Sequence, residues 1–219
     1  MLRHKVNRFF SLLTKGKLFR EFNEKKRHKH EEKILPVVDA VEIIGSNLSA
    51  SILEASIEDG NVTQEELKTI ASLVAAFKPK SIFEIGTFDG RTTLNMAAHS
   101  PEDCRIVTLD LPKIKMYDTE LRIKSGDMKF IDKEKSGTRF IGTPYEKMIT
   151  QVYADSAAYH YKPMENAFDF VFIDGSHSYE YVISDTENCR KLLRNGKGVL
   201  LWHDYGWHEV VKALNEYYK

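Results

Sequence analysis

Acidic and imidazole side chains recur at the ends of short apolar runs in this 219-residue sequence. Carboxylates that meet at one place repel one another unless hydrogen-bond donors, a cationic ligand or a metal ion lies between them. The pattern therefore predicts a ligand site. The residues concerned are Glu84, Asp110, Asp155, Asp174, His203 and Asp204.

Five apolar runs predict the strands that position these side chains. The runs span 81–85, 105–110, 149–153, 168–174 and 198–202, and the third is the least apolar. Helical patterns at 92–99 and 179–193 separate strands, and another at 209–218 follows the last one. Near-continuous apolar strands that alternate with helices predict an α/β fold, a Rossmann-like doubly wound parallel sheet with helices on both faces. In such a sheet, ligands bind at the carboxyl ends of the strands.

Two more helices are predicted before the sheet. Apolar residues at a spacing of three to four over 35–57 indicate one helix. Thr63 and Glu66 form a capping-box pattern that opens another helix, which runs to about Phe77. We therefore divide the chain into a basic helical extension (1–33), a helical lead-in (34–80) and the main domain (81–219). The glycine-containing, charged stretch 111–145 breaks the alternation and is interpreted as an insertion, either a lid or an acceptor-binding surface.

Charge and composition exclude several classes of protein. The net charge of zero combines +7 in residues 1–33 with −7 in the rest of the chain. An acidic body opposes binding to nucleic acid. No apolar run reaches the roughly 20 residues of a membrane span. The two cysteines are far apart and the N-terminus has no signal-peptide pattern, so we expect a cytoplasmic protein.

The basic segment 1–33 has two interpretations. Its apolar residues fall on one helical stripe with Lys and Arg around it, which suits a helix lying on anionic lipid or gripping a polyanion. The alternative is a solvated extension that docks on its own or a neighbouring subunit, as in a homo-oligomer.

The first strand-to-helix turn, 84–93, offers a place for close approach of a ligand. Gly86 and Gly90 free the backbone, and the following helix N-terminus presents amides. The turn lacks the glycine pattern of a dinucleotide fingerprint, because Phe88 and Thr93 occupy glycine positions. Asp110, about 20 residues later, is placed to accept hydrogen bonds from ribose hydroxyls.

The order of four motifs resembles class I S-adenosylmethionine-dependent methyltransferases, in the branch of small-molecule O-methyltransferases. These motifs are the turn 84–93, the acidic second strand 107–110, the fourth strand 170–179 and the turn and fifth strand 193–205. The resemblance covers about residues 60–219 and implies a methyl acceptor that is a hydroxylated small molecule or sugar. It also implies a cofactor site for S-adenosylmethionine, with Glu84, Gly86, Thr87 and Gly90 near the methionine part, Asp110 on the ribose, and Asp155 and Ser156 at the adenine edge.

Two chemistries remain open on the acceptor side. In one, Asp174, His203 and Asp204 bind a divalent metal, Mg²⁺, Mn²⁺ or another ion, which orients the acceptor oxygens. In the other, His177 or His203 acts as a general base, and Asp174 or Asp204 orients the imidazole. Asp174 and His177 also have a structural interpretation as turn and hydrogen-bonding residues.

One feature leaves alternatives to an active methyltransferase. The resemblance implies two further strands after the last helix, where this sequence ends. The N-terminal segment or another subunit could instead cover the sheet edge. The alternatives are a methyltransferase-like module that binds a nucleoside without turnover and, against the glycine pattern, a nicotinamide-dependent oxidoreductase.

Overall fold

A computed structural model describes residues 32–45 and 49–219. The predicted basic extension 1–33 therefore lies, except for its last two residues, outside the described residues. Five strands form a parallel sheet: β1 (Ser81–Ile85), β2 (Arg105–Asp110), β3 (Ile149–Tyr153), β4 (Phe170–Ile173) and β5 (Val199–Trp202). Their spatial order is β3-β2-β1-β4-β5. The chain adds β2 and β3 on one side of β1 and then crosses back to add β4 and β5 on the other side. This arrangement confirms the predicted doubly wound fold.

Six α-helices lie around and between the strands within the described ranges. They are α1 (Ala40–Ile44), α2 (Gln64–Phe77), α3 (Arg91–Ala98), α4 (Met128–Ile131), α5 (Tyr179–Leu192) and α6 (His208–Tyr218). None of the helices in this part of the chain is long and apolar enough to cross a membrane.

The hydrophobic core has one layer on each face of the sheet. Apolar residues of α2 and α3 pack on one face, around Ile82, Phe170 and Phe172. Apolar residues of α5 and α6 pack on the other face, around Phe83 and Val171. Since successive strand residues point to opposite faces, both faces need apolar side chains, which explains the continuous apolar runs in the sequence.

The helix expected over 35–57 is wrong for most of that range. Among the described residues of this range, only Ala40–Ile44 is helical, with Asp39 capping its first turn and Gly45 ending it in the left-handed conformation at φ 69°. Ile43 and Ile44 pack against the core, whereas Val37 and Val38, before the helix, are exposed. In contrast, the capping box of Thr63 and Glu66 is present at the start of α2.

The insertion 111–145 is largely irregular and contacts the rest of the domain at several places. It contains only α4 and a short 3₁₀ turn, Lys113–Lys115. Arg139 donates to Asp89 at 2.7 Å and to the carbonyl of Ser56 at 3.1 Å. Lys124 forms a 2.9 Å ion pair with Glu209 of α6. These contacts place the insertion over the carboxyl ends of the strands.

Candidate active site

One cavity of about 370 Å³ opens at the carboxyl ends of the strands, beneath the insertion. Most of the predicted site residues line it, and these are Gly86, Asp110, Asp155, Ser156, Asp174, His177, His203 and Asp204. Three others, Glu84, Thr87 and Gly90, do not reach its wall. The cavity therefore joins the positions predicted for a cofactor to those predicted for an acceptor.

Gly86 brings the first turn close to the end of β4. Its φ is 92°, and a Cβ atom there would lie 2.0 Å from the carbonyl oxygen of Asp174. Only glycine tolerates this conformation and this contact together. The amide of Gly86 donates to the carbonyl of Leu109 at 2.8 Å, which ties the turn to β2 as well.

Glu84 lies behind this turn, on the face of the sheet covered by α3. Its Oε2 accepts hydrogen bonds from the hydroxyls of Thr93 and Thr108, while its buried Oε1 has no hydrogen-bond partner among the described residues. Burial raises the pKa of Glu84 to about 8 and outweighs the two hydroxyl hydrogen bonds, which act in the opposite direction. Glu84 supports the turn from below.

Thr87 and Gly90 also have partners within the protein. The hydroxyl of Thr87 lies 2.6 Å from that of Thr108. A side chain at Gly90 would collide with Phe140 and Gly137 of the insertion, 2.7 and 2.8 Å away. Thr87 therefore connects the first turn to β2, and the lack of a side chain at Gly90 lets the insertion pack closely against the turn.

Asp110 stands at the end of β2 on the cavity wall. Its Oδ2 accepts a hydrogen bond from Ser136 and lies 2.8 Å from Nζ of Lys133, and both of these residues belong to the insertion. Burial raises the pKa of Asp110, and Lys133 and Ser136 act against that rise.

Asp155 and Ser156 follow β3. Asp155 is held by three donors: the amide of Glu120 at 2.6 Å, the amide of Ala157 at 3.0 Å and the hydroxyl of Tyr181 at 2.8 Å. These hydrogen bonds hold Asp155 in the loop after β3, and Asp155 and Ser156 both line the cavity.

Asp174, His203 and Asp204 converge on the opposite side of the cavity. Nδ1 of His203 lies 2.9 Å from Oδ1 of Asp174 and 3.1 Å from Oδ2 of Asp204. One potential ligand atom from each of the three residues lies within 4.8 Å of the others. This spacing suits a shared metal ion.

Glu66 is a fourth member of this cluster that the sequence reading assigned only to a helix cap. Its Oε2 lies 3.3 Å from Nε2 of His203. Burial lowers the pKa of His203, but the surrounding carboxylates, led by Asp174, outweigh it and raise the pKa well above the usual value.

His177 is held between two carboxylates. Its Nδ1 lies 2.7 Å from Asp127 of the insertion, and its Nε2 lies 2.7 Å from Asp204. Burial lowers the pKa of His177, but these two hydrogen bonds and charges raise it to about 10. Trp207 stacks over the imidazole with a centroid distance of 4.7 Å.

Sequence reasoning also missed the residues that the insertion contributes to the cavity, chiefly Asp127 and Lys133. No motif marks them, since their partners are distant in the chain. Trp207 is one of the aromatic residues that line the cavity. Tyr161 instead packs edge-on against Phe83 in the core, and Trp202 donates to Thr186.

Comparisons with known proteins define the class. A family model described as a methyltransferase domain matches residues 83–205. This range is more than half of the chain and contains the turn of Gly86, Asp110 and the cluster around His203. The chain belongs to this methyltransferase family, which confirms the predicted class I S-adenosylmethionine-dependent methyltransferase.

Solved structures share the fold at low sequence identity. The O-methyltransferase TomG from Streptomyces achromogenes, involved in tomaymycin synthesis and solved with SAM, is 17% identical; the match covers 74% of this chain and 70% of TomG, with a TM-score of 0.52. An O-methyltransferase from Bacillus cereus in complex with SAH is 18% identical, with 84% and 79% covered and a TM-score of 0.50. No curated protein matches the sequence at a significant level.

Proposed function

We propose that this protein transfers a methyl group from S-adenosylmethionine to a hydroxyl oxygen of a small molecule or sugar. The observation that carries this proposal is the single cavity that runs from Gly86 and Asp110 to the cluster of Asp174, His203 and Asp204. Methyl transfer needs donor and acceptor in line in one enclosed site, and this cavity has a wall suited to each.

The residues on the first wall fit the cofactor. Gly86 lines the cavity at the end of β1, and the Asp110 carboxylate can accept hydrogen bonds from ribose hydroxyls. The hydroxyl of Ser156 lies at the end of β3, where an adenine edge would be read. When bound, S-adenosylmethionine supplies a methyl group already activated by its sulfonium. Both similar O-methyltransferases were solved with this cofactor or its product.

The residues on the second wall fit a divalent metal. Two carboxylates and one imidazole, from Asp174, Asp204 and His203, form a mixed O and N donor set that Mn²⁺, Mg²⁺ or Fe²⁺ accepts. A metal there would supply a Lewis acid that lowers the pKa of the acceptor hydroxyl. The protein's part is to hold these three donors together at the ends of β4 and β5.

In the metal-free alternative, the geometry argues against His177 as the general base, whereas His203 stays a candidate for that role. A general base needs a ring nitrogen that faces the acceptor. Both ring nitrogens of His177 are engaged, one by Asp127 and the other by Asp204. We therefore assign His177 to orienting Asp204, with Asp174, His203 and Asp204 as the residues nearest to the acceptor.

The proposal is tested first by binding and then by transfer. Calorimetry should show that S-adenosylmethionine and S-adenosylhomocysteine bind and that NAD does not. Asp110→Ala should weaken both sulfur nucleosides, whereas Asp103→Ala, at an exposed acid far from the cavity, should not. Tight binding of NAD alone would reject the proposal.

Turnover is then followed with a panel of sugars and catechols, with and without a chelator. Formation of methylated product that is lost on chelation and restored by Mn²⁺ or Mg²⁺ would support the metal-assisted reaction. Nucleoside binding without transfer to any acceptor would favour the non-catalytic binding module.

A further inference from the structure

The segment 127–136 of the insertion reaches both walls of the cavity. Asp127, at its start, bonds to His177, and Lys133 and Ser136, near its end, bond to Asp110. Between them α4 packs against the first turn, because Phe130 lies edge-on to Phe88 at 6.2 Å. The cofactor wall is therefore built partly from a segment outside the four recognised motifs.

We infer that Ser136 is a positioning residue that holds Asp110, and that Lys133 and Asp110 together bind the vicinal diol of the cofactor ribose. This inference rests on the proposed function, since it assumes that a nucleoside occupies this wall.

The hydrogen-bond pattern at Asp110 supports a shared site and opposes simple competition. Ser136 and Lys133 both act on Oδ2, and the backbone of Phe88 also donates to this carboxylate, so three donors of the protein reach Asp110. A carboxylate offers about four acceptor positions on its two oxygens, so these donors do not exhaust them.

The ammonium group of Lys133 also has capacity for a ligand. Besides Asp110, its Nζ donates to the carbonyl of Phe130 at 2.7 Å. An ammonium group has three N–H donors, so the third can be donated to a ribose oxygen. A hydroxyl both donates and accepts, and a vicinal diol can therefore bond to Asp110 and Lys133 at once.

The charge of Lys133 also favours the ionised form of Asp110, which is the form that accepts hydrogen bonds on both oxygens. Asp110 is buried, and burial favours its protonation. Lys133 faces Asp110 from the insertion, and its side chain is only 17% exposed, so solvent screens this pair weakly. Without Lys133, Asp110 would take up a proton at a higher pH and lose its acceptor capacity there.

The chain provides a matched control for this lysine. Lys129 lies in α4, four residues earlier, but its side chain is 58% exposed and pairs with Asp59 on the surface. Lys129→Met removes the same charge from the same segment without touching Asp110.

The experiment measures S-adenosylhomocysteine affinity by calorimetry from pH 5 to 8 for the full chain. Lys133→Met should weaken binding about tenfold at pH 7, as expected for loss of a charge-assisted hydrogen bond. As the pH is lowered, the affinity of Lys133→Met should begin to fall at a higher pH than the affinity of the wild type does. Lys133→Arg should restore most of the affinity, and Lys129→Met should match the wild type.

The outcomes separate this inference from the proposed function. A wild-type chain that does not bind S-adenosylhomocysteine contradicts the proposed function. Wild-type binding with equal or tighter binding by Lys133→Met overturns the inference, and tighter binding would mean that Lys133 competes with the ribose. A purely structural role would lower affinity equally at every pH. If Lys133→Met does not fold by circular dichroism, Ser136→Ala takes its place, and unchanged affinity for that variant overturns the inference.

Discussion

Oδ1 of Asp127 lies 2.7 Å from Nδ1 of His177, although the two residues are 50 positions apart in the chain. Oδ2 of Asp127 also accepts from the amide of His177 and from the hydroxyl of Ser176, each at 2.9 Å. Asp127 therefore fastens the insertion to the loop after β4 by three hydrogen bonds. The position of the insertion and the orientation of His177 depend on the same contacts.

Asp127→Asn should loosen the insertion. The amide removes the negative charge that attracts His177 and weakens contacts worth about 1–1.5 kcal/mol, so the population of the open insertion should rise about five- to tenfold. Limited trypsin digestion measures this as faster cleavage after Lys124 and Lys129. The control is Asp118→Asn, at an exposed acid of the same insertion. Equal cleavage rates for the two variants would show that Asp127 does not hold the insertion closed.

Asp174→Asn and Asp204→Asn should each weaken Mn²⁺ binding by at least about 100-fold, since loss of a direct ligand exceeds the 10- to 100-fold effect of an outer hydrogen-bond partner. An amide carries no charge and is a poorer ligand than a carboxylate. Calorimetry with Mn²⁺ alone, without nucleoside, measures the effect. Asp103→Asn, at an exposed acid outside the cavity, should bind as the wild type does. If Asp174→Asn and Asp204→Asn both retain wild-type affinity, the ion binds elsewhere.

Gly86→Ala should destabilise the fold far more than Gly142→Ala. Both glycines have positive φ, 92° and 73°, so alanine is strained by about 1–2 kcal/mol at either position. At Gly86 the new Cβ would also lie 2.0 Å from the carbonyl of Asp174, whereas at Gly142 it meets nothing within 4 Å. Urea unfolding should therefore show a loss of about 3 kcal/mol or more for Gly86→Ala. Equal losses for both variants would mean that the turn moves freely away from β4.

The central strands were predictable from the sequence because they are covered on both faces. Phe83 packs under one layer of helices and its neighbour Ile82 under the other, so most positions select an apolar residue. The helix over 35–57 was not predictable from spacing alone. Gly45 ends it after one turn, and a pattern of apolar residues does not reveal whether a surface is available to bury them.

The site was predictable only where it follows strand ends. Asp174, His203 and Asp204 come together because β4 and β5 are neighbours and parallel, which the alternation of strands and helices implies. Asp127 and Lys133 come from an irregular segment whose path depends on many contacts between distant residues. Neither residue lies in a periodic pattern, so their roles required coordinates.

Asp185 of α5 provides a pH-dependent test of the buried layer beside the cavity. Its side chain is fully buried, and neither carboxylate oxygen has a hydrogen-bond partner within the described residues. Burial raises the pKa of Asp185 to about 7, and the charge of Asp155 adds to this rise. Asp185 is therefore mainly neutral in the folded protein at mildly acidic pH.

Asp185→Asn should make stability less sensitive to a rise in pH between about pH 4 and pH 7. In the unfolded chain Asp185 titrates near 3.8, so between about pH 4 and pH 7 the unfolded state ionises while the folded state keeps its proton. The contribution of Asp185 to the free energy of unfolding therefore falls as the pH rises through this window and levels off above pH 7. From pH 5 to pH 8 this contribution is about 3 kcal/mol, at 1.36 kcal/mol per pKa unit.

Urea unfolding at pH 5 and pH 8 should show this fall in the wild type and in Asp103→Asn, and a fall about 3 kcal/mol smaller in Asp185→Asn. The same fall in all three proteins would mean that Asp185 is ionised in the folded state and has found a partner.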